Sequence, residues 1–302
     1  MRTKLRILFS LLILAVILIT AIPSVKDKLI DLTDDIGKTA LADFTEKYDV
    51  HIHFLPTGTS DCIILDLDGE YVLIDGGFYG MYDKISTYFR AVGIDRFSAV
   101  INTHPDADHV GCIPQILCDF KVQTLFYSES SLNSDSIINS EMLNAAETSK
   151  IHNEVLKEKD SFTINGFNFE VLAPYTDANE NNSMSLVIKV SKDDFSMLLT
   201  GDSDKEVLLG IEKRGYDLDC DILKVPHHGS STSTNDELLN LFSPEYAVIT
   251  VGENSYGIPD PEVLSLFEEK EIPLLRTDQS GTIIISSNCD GKYIVNSIQS
   301  GG

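Results

Sequence analysis

One short segment constrains this chain more than any other feature. Thr103-His104-Pro105-Asp106-Ala107-Asp108-His109-Val110-Gly111 follows an apolar run, Ala99–Asn102, that is typical of a buried strand. It places His104, Asp106, Asp108 and His109 within one loop. Without a cation between them, these carboxylates would repel one another and lose hydration, at a cost on the order of several kcal/mol. The segment therefore predicts a loop that binds Zn²⁺, Mn²⁺ or Fe²⁺.

The alternative interpretation of this segment is an acidic surface turn with two incidental histidines. The whole chain has only 7 histidines, and two of them lie here in the pattern His-x-Asp-x-Asp-His. This clustering favours the metal site.

A second segment, Ser196–Thr200, is an apolar strand pattern that leads directly to Gly201-Asp202. Alone, a strand that ends in Gly-Asp is a common turn. Beside the first segment, it predicts that Asp202 bridges two metal ions.

A third segment, Ile222–Val225, is again apolar and leads to Pro226-His227-His228-Gly229. One of His227 and His228 would complete the second metal site. The other could hold a nearby group or donate a proton. Together the three segments predict a two-ion site built from distant parts of the chain.

The pattern of strands and helices indicates the fold class. Leu67-Asp68-Gly69-Glu70 predicts a hairpin, because Asp-Gly tolerates positive φ. Two blocks of strands, each followed by helices, favour an α/β (α+β) fold with two sheets packed face to face and helices outside. Predicted strands cover Val50–Leu55, Cys62–Leu67, Glu70–Asp75, Ala99–Thr103, Phe167–Leu172, Ser185–Val190, Ser196–Thr200, Asp221–Val225, Tyr246–Val251, Gly281–Ser286 and Lys292–Val295; predicted helices cover Met81–Val92, Asp204–Lys213, a stretch after Asn235, and Pro261–Glu269.

The N-terminus predicts a membrane anchor or a signal peptide. Three cations lie within residues 1–6, and an almost wholly apolar run follows to Ile22. A spanning helix needs roughly 17–25 residues, which Leu5–Ile22 just reaches. Because no Ala-x-Ala cleavage site is evident, we expect an uncleaved anchor, with the bulk of the chain outside the cytoplasm. The predicted organisation is an anchor or signal (1–24), a polar stalk (25–48) and a catalytic domain (49–298), in a single-pass membrane protein or a secreted one.

Charge bears on the partners that such a domain can bind. The chain has 23 Lys+Arg against 47 Asp+Glu, a formal net charge of −24, and no cluster of five or more basic residues. This predicts that no extended basic surface is available for nucleic acid. Bound metal ions would still attract an anionic group locally.

The chain resembles the metallo-β-lactamase superfamily and, within it, the hydrolase domain of ComEC-type competence proteins. The matching stretches are HIHFLPTGTSDCIILDLDGEYVLIDGG, INTHPDADHVGC, NNSMSLVIKV, FSMLLTGD, DILKVPHHGSSTST and YAVITVGENSYGIPDPEVL, in family order. The resemblance implies a four-layer αββα sandwich, preceded here by the N-terminal hydrophobic helix. It also implies that Asp75 supports the metal loop without binding a metal.

The resemblance assigns the ligand roles. His104 and Asp106 would hold the first ion and Asp108 and His109 the second, with Asp202 between them and His227 or His228 capping the second ion. Asp108 and His228 are the predicted catalytic residues. A hydroxide between the ions would be the nucleophile.

The chain also departs from related patterns. True β-lactamases carry another histidine on the strand before the Gly-Asp turn, where Glu180-Asn181-Asn182-Ser183 has none, so lactam hydrolysis is disfavoured. Asp106 replaces a usual histidine, and this carboxylate-rich set makes Mn²⁺ as plausible as Zn²⁺. Ile258 stands where ComEC-like domains usually have histidine. The leading hypothesis is a two-metal hydrolase of phosphodiesters in nucleic acid, nucleotides or the cell envelope; the alternative is a weakly active or non-catalytic metal-binding surface protein.

Overall fold

Two β-sheets organise the protein. The structure is a computed structural model and describes residues 48–175 and 184–299. The strands in these residues are β1 (Val50–Phe54), β2 (Ile63–Leu67), β3 (Glu70–Ile74), β4 (Arg96–Asn102), β5 (Lys121–Ser128), β6 (His152–Leu156), β7 (Ser161–Ile164), β8 (Phe167–Ala173), β9 (Val187–Lys192), β10 (Phe195–Leu199), β11 (Ile222–Lys224), β12 (Tyr246–Ile249), β13 (Leu274–Arg276), β14 (Thr282–Ser287) and β15 (Ile294–Ile298). The helices are α1 (Tyr82–Ala91), α2 (Ala107–Val110), α3 (Ile113–Asp119), α4 (Ile137–Thr148), α5 (Lys205–Lys213), α6 (Asp236–Phe242), α7 (Pro261–Glu269) and α8 (Thr277–Ser280), with 3₁₀ turns at Glu129–Leu132 and Pro226–Gly229.

The two sheets have the same plan. The first runs β15-β14-β1-β2-β3-β4-β5-β6, and the second runs β13-β12-β11-β10-β9-β8-β7. In the first sheet, antiparallel pairing gives way to parallel pairing from β3 to β6. In the second sheet, β10 to β13 are parallel and β7 to β10 are antiparallel. Each sheet therefore has a set of parallel strands whose carboxyl ends share one edge.

The main core lies between the sheets. Ile52 and Ile101 of the first sheet and Phe169 and Met197 of the second belong to one buried cluster. A second cluster joins the outer face of the second sheet to α5, α6 and α7, through residues such as Leu208, Phe242 and Phe267. Helix α3 contacts α4 and β5 of the first sheet. Two sheets with helices outside confirm the predicted fold class.

The local signals mostly give the elements they predict. Asp68 and Gly69 have φ values of 53° and 85°, and Leu67 pairs with Glu70, so the Asp-Gly hairpin is present. Asp66 reinforces this turn, because its Oδ1 accepts a hydrogen bond from the Gly69 N–H at 2.8 Å. The last strand begins at Ile294 and runs to Ile298, later than predicted.

The N-terminal predictions fall outside the described residues. The anchor at 1–24 and all but the last residue of the stalk at 25–48 lie there, so both remain predictions. Within 48–175 and 184–299, no helix combines the length and the apolar character needed to cross a membrane.

Candidate metal centre

The predicted ligands all lie beyond the carboxyl ends of parallel strands. The first sheet supplies His104, Asp106, Asp108 and His109 after β4, and the second supplies Asp202 after β10 and His227 and His228 after β11. Carboxyl ends of parallel neighbours meet at one edge of a sheet, where ligands commonly bind. The two facing sheets thus bring the three sequence segments together.

Four of these side chains form a compact cluster, which we call the four-ligand site: Asp108, His109, Asp202 and His228. One donor atom from each lies within 4.8 Å of the others. His109 Nε2 is 3.4 Å from Asp202 Oδ1, and His228 Nε2 is 3.6 Å from Asp108 Oδ2 and 3.7 Å from Asp202 Oδ2. Two imidazoles and two carboxylates at this spacing are a suitable donor set for a divalent ion.

His104 and Asp106 form a looser group, which we call the open pair. His104 Nε2 is 3.7 Å from Asp106 Oδ2, and the His104 ring lies 4.1 Å from the His109 ring, between centroids. The His104 side chain is fully buried, whereas that of Asp106 is 39% exposed. The pair adjoins the four-ligand site through His109.

The adjacent histidines occupy different environments. The His228 side chain is buried and belongs to the four-ligand site. The His227 side chain is 29% exposed, with its Nε2 3.8 Å from Asp202 Oδ2. The sequence left the choice between them open; the geometry favours His228 as the ligand and leaves His227 at the rim.

Unpartnered polar atoms test whether a cation fits here. Four buried atoms facing the centre have no hydrogen-bond partner within the described chain: His104 Nε2, His109 Nε2, Asp202 Oδ1 and His228 Nε2. Buried polar atoms are nearly always satisfied, and isolated ones cost free energy. Because all four belong to predicted ligands, the arrangement fits divalent ions held by imidazole and carboxylate, as Zn²⁺ and Mn²⁺ are.

The buried carboxylates and histidines at the centre shift the pKa values of one another. Burial alone would raise the pKa of Asp202, but His109 and His228 hold it well below the usual range. Burial opposes protonation of His109, yet Asp202 and Asp75 raise its pKa well above 6.5. Burial alone would also raise the pKa of Asp108, but His109 and His228 outweigh it and lower this pKa to about 2. The carboxylates are therefore ionised at neutral pH and available to a cation.

Asp75 holds the metal loop in place. Its Oδ2 lies 2.7 Å from His109 Nδ1, which leaves Nε2 of that ring facing the centre. Asp75 also accepts hydrogen bonds from the Thr103 N–H at 2.8 Å, from Thr103 Oγ1 at 2.6 Å and from Asn102 Nδ2 at 3.1 Å. A carboxylate behind a histidine ligand fixes its tautomer and orientation.

A second supporting group was not found by sequence analysis. Lys224 Nζ lies 2.9 Å from Asp61 Oδ2, and both side chains are almost completely buried. Thr250 Oγ1 donates a short hydrogen bond to Asp61. The Thr250 carbonyl accepts from His228 Nδ1 at 2.7 Å, and so turns Nε2 of His228 toward the centre. A lysine inside the apolar strand pattern of β11 was the available signal, because a buried lysine requires an anionic partner.

A cleft of about 610 Å³ opens beside the ligands. Asp106, Asp108, His227 and His228 line one part of it. Other parts of its lining carry aromatic, aliphatic and hydroxyl side chains. The centre is therefore reachable by a substrate of moderate size.

Comparison with known proteins shows which family this domain resembles and which fold it has. Residues 55–128 match the Metallo-beta-lactamase superfamily. The structure is similar to the crystal structure of the metallo-beta-lactamase fold protein YhfI from Bacillus subtilis, with a TM-score of 0.55 and 10% sequence identity, covering 78% of this chain and 100% of that one. The described domain has the metallo-β-lactamase fold.

Two curated relatives show which members of the superfamily this chain resembles. ComE operon protein 3 of Bacillus subtilis (strain 168) is 34% identical over 198 residues, which cover 65% of this chain and 25% of that protein. Competence protein ComA of Neisseria gonorrhoeae is 40% identical over 123 residues, 39% of this chain and 18% of that protein. The predicted resemblance to ComEC-type competence proteins is confirmed. The chain spans a quarter or less of the length of these relatives.

Proposed function

We propose that this chain is a metal-dependent hydrolase that uses two divalent ions to cleave phosphodiester bonds outside the cytoplasm. The observation that supports this most directly is the four-ligand site next to the open pair, with unpartnered donor atoms on both. When bound, the ions would supply Lewis acidity toward water and toward the phosphoryl group.

The side chains around the ions would hold them, orient the histidine ligands and donate a proton. Asp202 lies 3.4 Å from His109 through Oδ1 and 3.7 Å from His228 through Oδ2, so its two carboxylate oxygens suit a shared ligand. Asp75 and the Asp61–Lys224 pair orient the histidines. His227 lines the cleft with part of its ring exposed, which supports a role for it as the proton donor to a leaving group.

Two considerations favour a phosphodiester and an extracytoplasmic location. One of the matched relatives is named competence protein ComA, and the sequence lacks the additional histidine of β-lactamases. The cationic and then apolar N-terminus favours placement of the domain outside the cytoplasm.

The test is metal analysis of the purified full chain, followed by turnover of bis(p-nitrophenyl) phosphate with Mn²⁺ or Zn²⁺. We expect two ions per chain and metal-dependent release of p-nitrophenol, both lost in Asp202→Ala. Hydrolysis of the lactam nitrocefin in place of diesters would contradict the proposal.

One observation favours a second candidate, a metal-binding protein without appreciable activity. Ile258 lines the cleft where the related domains usually carry histidine, so a proton donor is missing there. Bound metal with no turnover of any phosphodiester would support this second candidate. Restoration of turnover in Ile258→His would then identify the missing group.

A further inference from the structure

We propose that the cleft beside the metal centre binds a cationic ester arm of the substrate, of the quaternary-ammonium type. This inference rests on the proposed phosphodiesterase function and names its substrate class. It follows from three properties of the cleft: exposed aromatic side chains, fixed loops that carry them, and a charge of one sign.

Two aromatic side chains line the cleft and remain open to solvent. Phe78 is 51% exposed and Tyr256 is 81% exposed. Ile258 adds an aliphatic surface to the same lining. A large aromatic side chain in this position is costly to expose, and an aromatic face can be covered favourably by a cation or a planar ring.

The loop that carries Tyr256 is held by its neighbour Asn254. Asn254 Oδ1 accepts hydrogen bonds from the N–H groups of Tyr256 at 3.1 Å and Gly257 at 3.0 Å. Its Nδ2 donates to the carbonyls of Ile258 at 2.7 Å and Gly252 at 2.9 Å. The exposed ring thus projects from a pre-formed loop, which is what a binding surface requires.

The loop that carries Phe78 is also fixed, and it is tied to the metal loop. The Phe78 carbonyl accepts from the Met81 N–H at 3.1 Å and from Cys112 Sγ at 3.2 Å. A Cβ on Gly111, at the end of the metal loop, would collide with backbone atoms of Gly77 and Tyr79. This close approach keeps Phe78 next to the ligands.

The charge of the cleft selects the kind of arm. In the part of the chain that the structure describes, the lining contains Asp106, Asp108 and Asp260 but no lysine or arginine. Bound ions would be largely offset by their carboxylate ligands, and Asp260 would remain as a further negative charge. A single phosphodiester can be neutralised at the ions, whereas additional phosphates would find no cation and would face a chain of net charge −24.

The same charge distinguishes a cation from a neutral planar arm. Aromatic faces stack on nucleobases as well as on quaternary ammonium groups. Only the cation also gains from the carboxylate at Asp260 and from the acidic surroundings. The surfaces of the cleft therefore match a zwitterionic diester better than a nucleotide.

The test compares two substrates that differ only in this charge. p-Nitrophenyl phosphorylcholine carries the trimethylammonium group, and p-nitrophenyl 3,3-dimethylbutyl phosphate replaces its nitrogen by carbon. With the metal-loaded full chain, we expect kcat/KM for the cation to exceed that for the carbon analogue by about tenfold, mostly through KM. The p-nitrophenyl ester of thymidine 5′-phosphate, whose arm is planar and neutral, is expected to behave like the carbon analogue.

Variants of the aromatic side chains locate the effect. Tyr256→Ala and Phe78→Ala should each bring the cation preference down toward one, and Tyr256→Phe should retain it. Tyr79→Ala is the matched control, because Tyr79 is 56% exposed beside Phe78 but does not line the cleft. Thermal unfolding of each variant checks the fold.

The outcomes separate this inference from the proposed function. Equal turnover of the two matched substrates, or preference for the thymidine ester, overturns the cationic arm and leaves the phosphodiesterase standing. If no diester is turned over, the proposed function fails, and calorimetric binding of phosphorylcholine against 3,3-dimethylbutyl phosphate decides the inference: tighter binding of the cation supports it, and equal binding overturns it.

Discussion

The four-ligand site and the open pair differ in how firmly their donors are held. In the four-ligand site, His109 and His228 are each fixed from behind, by Asp75 and by the Thr250 carbonyl. In the open pair, the Thr103 hydroxyl lies 3.1 Å from His104 Nδ1, in place of a carboxylate or a carbonyl, and the exposure of Asp106 (39%) is close to that of Asp108 (33%) in the four-ligand site. Because a pre-organised donor loses less conformational freedom on binding, we expect the four-ligand site to bind its ion more tightly and the open pair to exchange its ion more readily.

The largest effect is expected from Asp202→Ala, which removes the carboxylate that both sites would share. We expect loss of both ions, with phosphodiester turnover reduced roughly a thousandfold because the positioned ions supply several kcal/mol to the transition state. The measurement is metal content by mass spectrometry together with steady-state kinetics. Asp204→Ala, close by in the chain and outside the predicted ligand set, is the control. Retention of two ions in Asp202→Ala would show that the sites do not share this residue.

The next effect concerns the support of the four-ligand site alone. Lys224→Met should weaken the affinity of this site for its ion by about 10–100-fold. Without Lys224, Asp61 is no longer fixed, so Thr250 and the His228 ring that it orients are no longer held in place. Competition with a chromophoric chelator would resolve the two affinities, and the affinity of the open pair should change less.

Lys224→Met also leaves the Asp61 carboxylate buried without its cation, which costs about 3–5 kcal/mol. If this variant does not fold, the double variant Lys224→Met/Asp61→Asn removes the unpaired charge. It should regain stability but not metal affinity. Wild-type affinity in the double variant would mean that the pair only stabilises the fold.

A smaller and more selective effect is expected from Asp106→Asn. It should weaken only the ion at the open pair, by about tenfold, since an amide is a poorer ligand than a carboxylate. Asp108→Asn is the matched change in the four-ligand site and should affect the other ion. Equal weakening of both ions by both variants would remove the distinction between the sites.

The smallest effect comes from a residue outside the metal centre. It makes the fold less stable at low pH, which limits the pH range over which the metal affinities of the two sites can be compared. Burial, with a contribution from the nearby His51, lowers the pKa of His53 on β1 from 6.5 to about 3. Between these two pKa values, His53 is therefore protonated in the unfolded chain and neutral in the folded protein. Above about pH 6.5, His53 is neutral in both states and does not change the free energy of unfolding. As the pH falls from 6.5 toward 3, protonation of His53 in the unfolded chain lowers the free energy of unfolding by about 1.4 kcal/mol per pH unit.

Urea unfolding of the metal-free protein at pH 7.5 and 5.5 measures this loss. His53→Gln, which cannot take up the proton, should flatten the dependence. An unchanged slope in the variant would assign the acid sensitivity to other groups, such as the carboxylates of the centre.

The sequence predicted which segments meet at the candidate centre because each segment carries its own signal. His104, Asp202 and His228 each follow a short, mostly apolar run, and Asp202 and His228 also adjoin a glycine, so local pattern alone places the three residues at strand ends. Strands β6 and β7 were missed because they lie toward the sheet edges with mostly exposed or half-buried side chains, and so show no continuous apolar run.

The supporting contacts depend on tertiary structure and could not be read locally. Asp61 precedes β2, whereas Lys224 ends β11 in the other sheet, and only the packing of the sheets brings them together. The choice between His227 and His228 likewise depends on the turn that directs the two rings apart, since the residues are chemically identical.

That turn has a consequence for the evolution of the domain. His227 and His228 both adopt left-handed backbone conformations, with φ values of 49° and 51°. Each such conformation costs a side-chain-bearing residue about 1–2 kcal/mol, and glycine would avoid most of that cost. Selection for stability alone would thus favour replacement of these two residues by glycine. The two histidines are held there against the preference of the backbone, as expected where a protein gives up some stability to keep a reactive position.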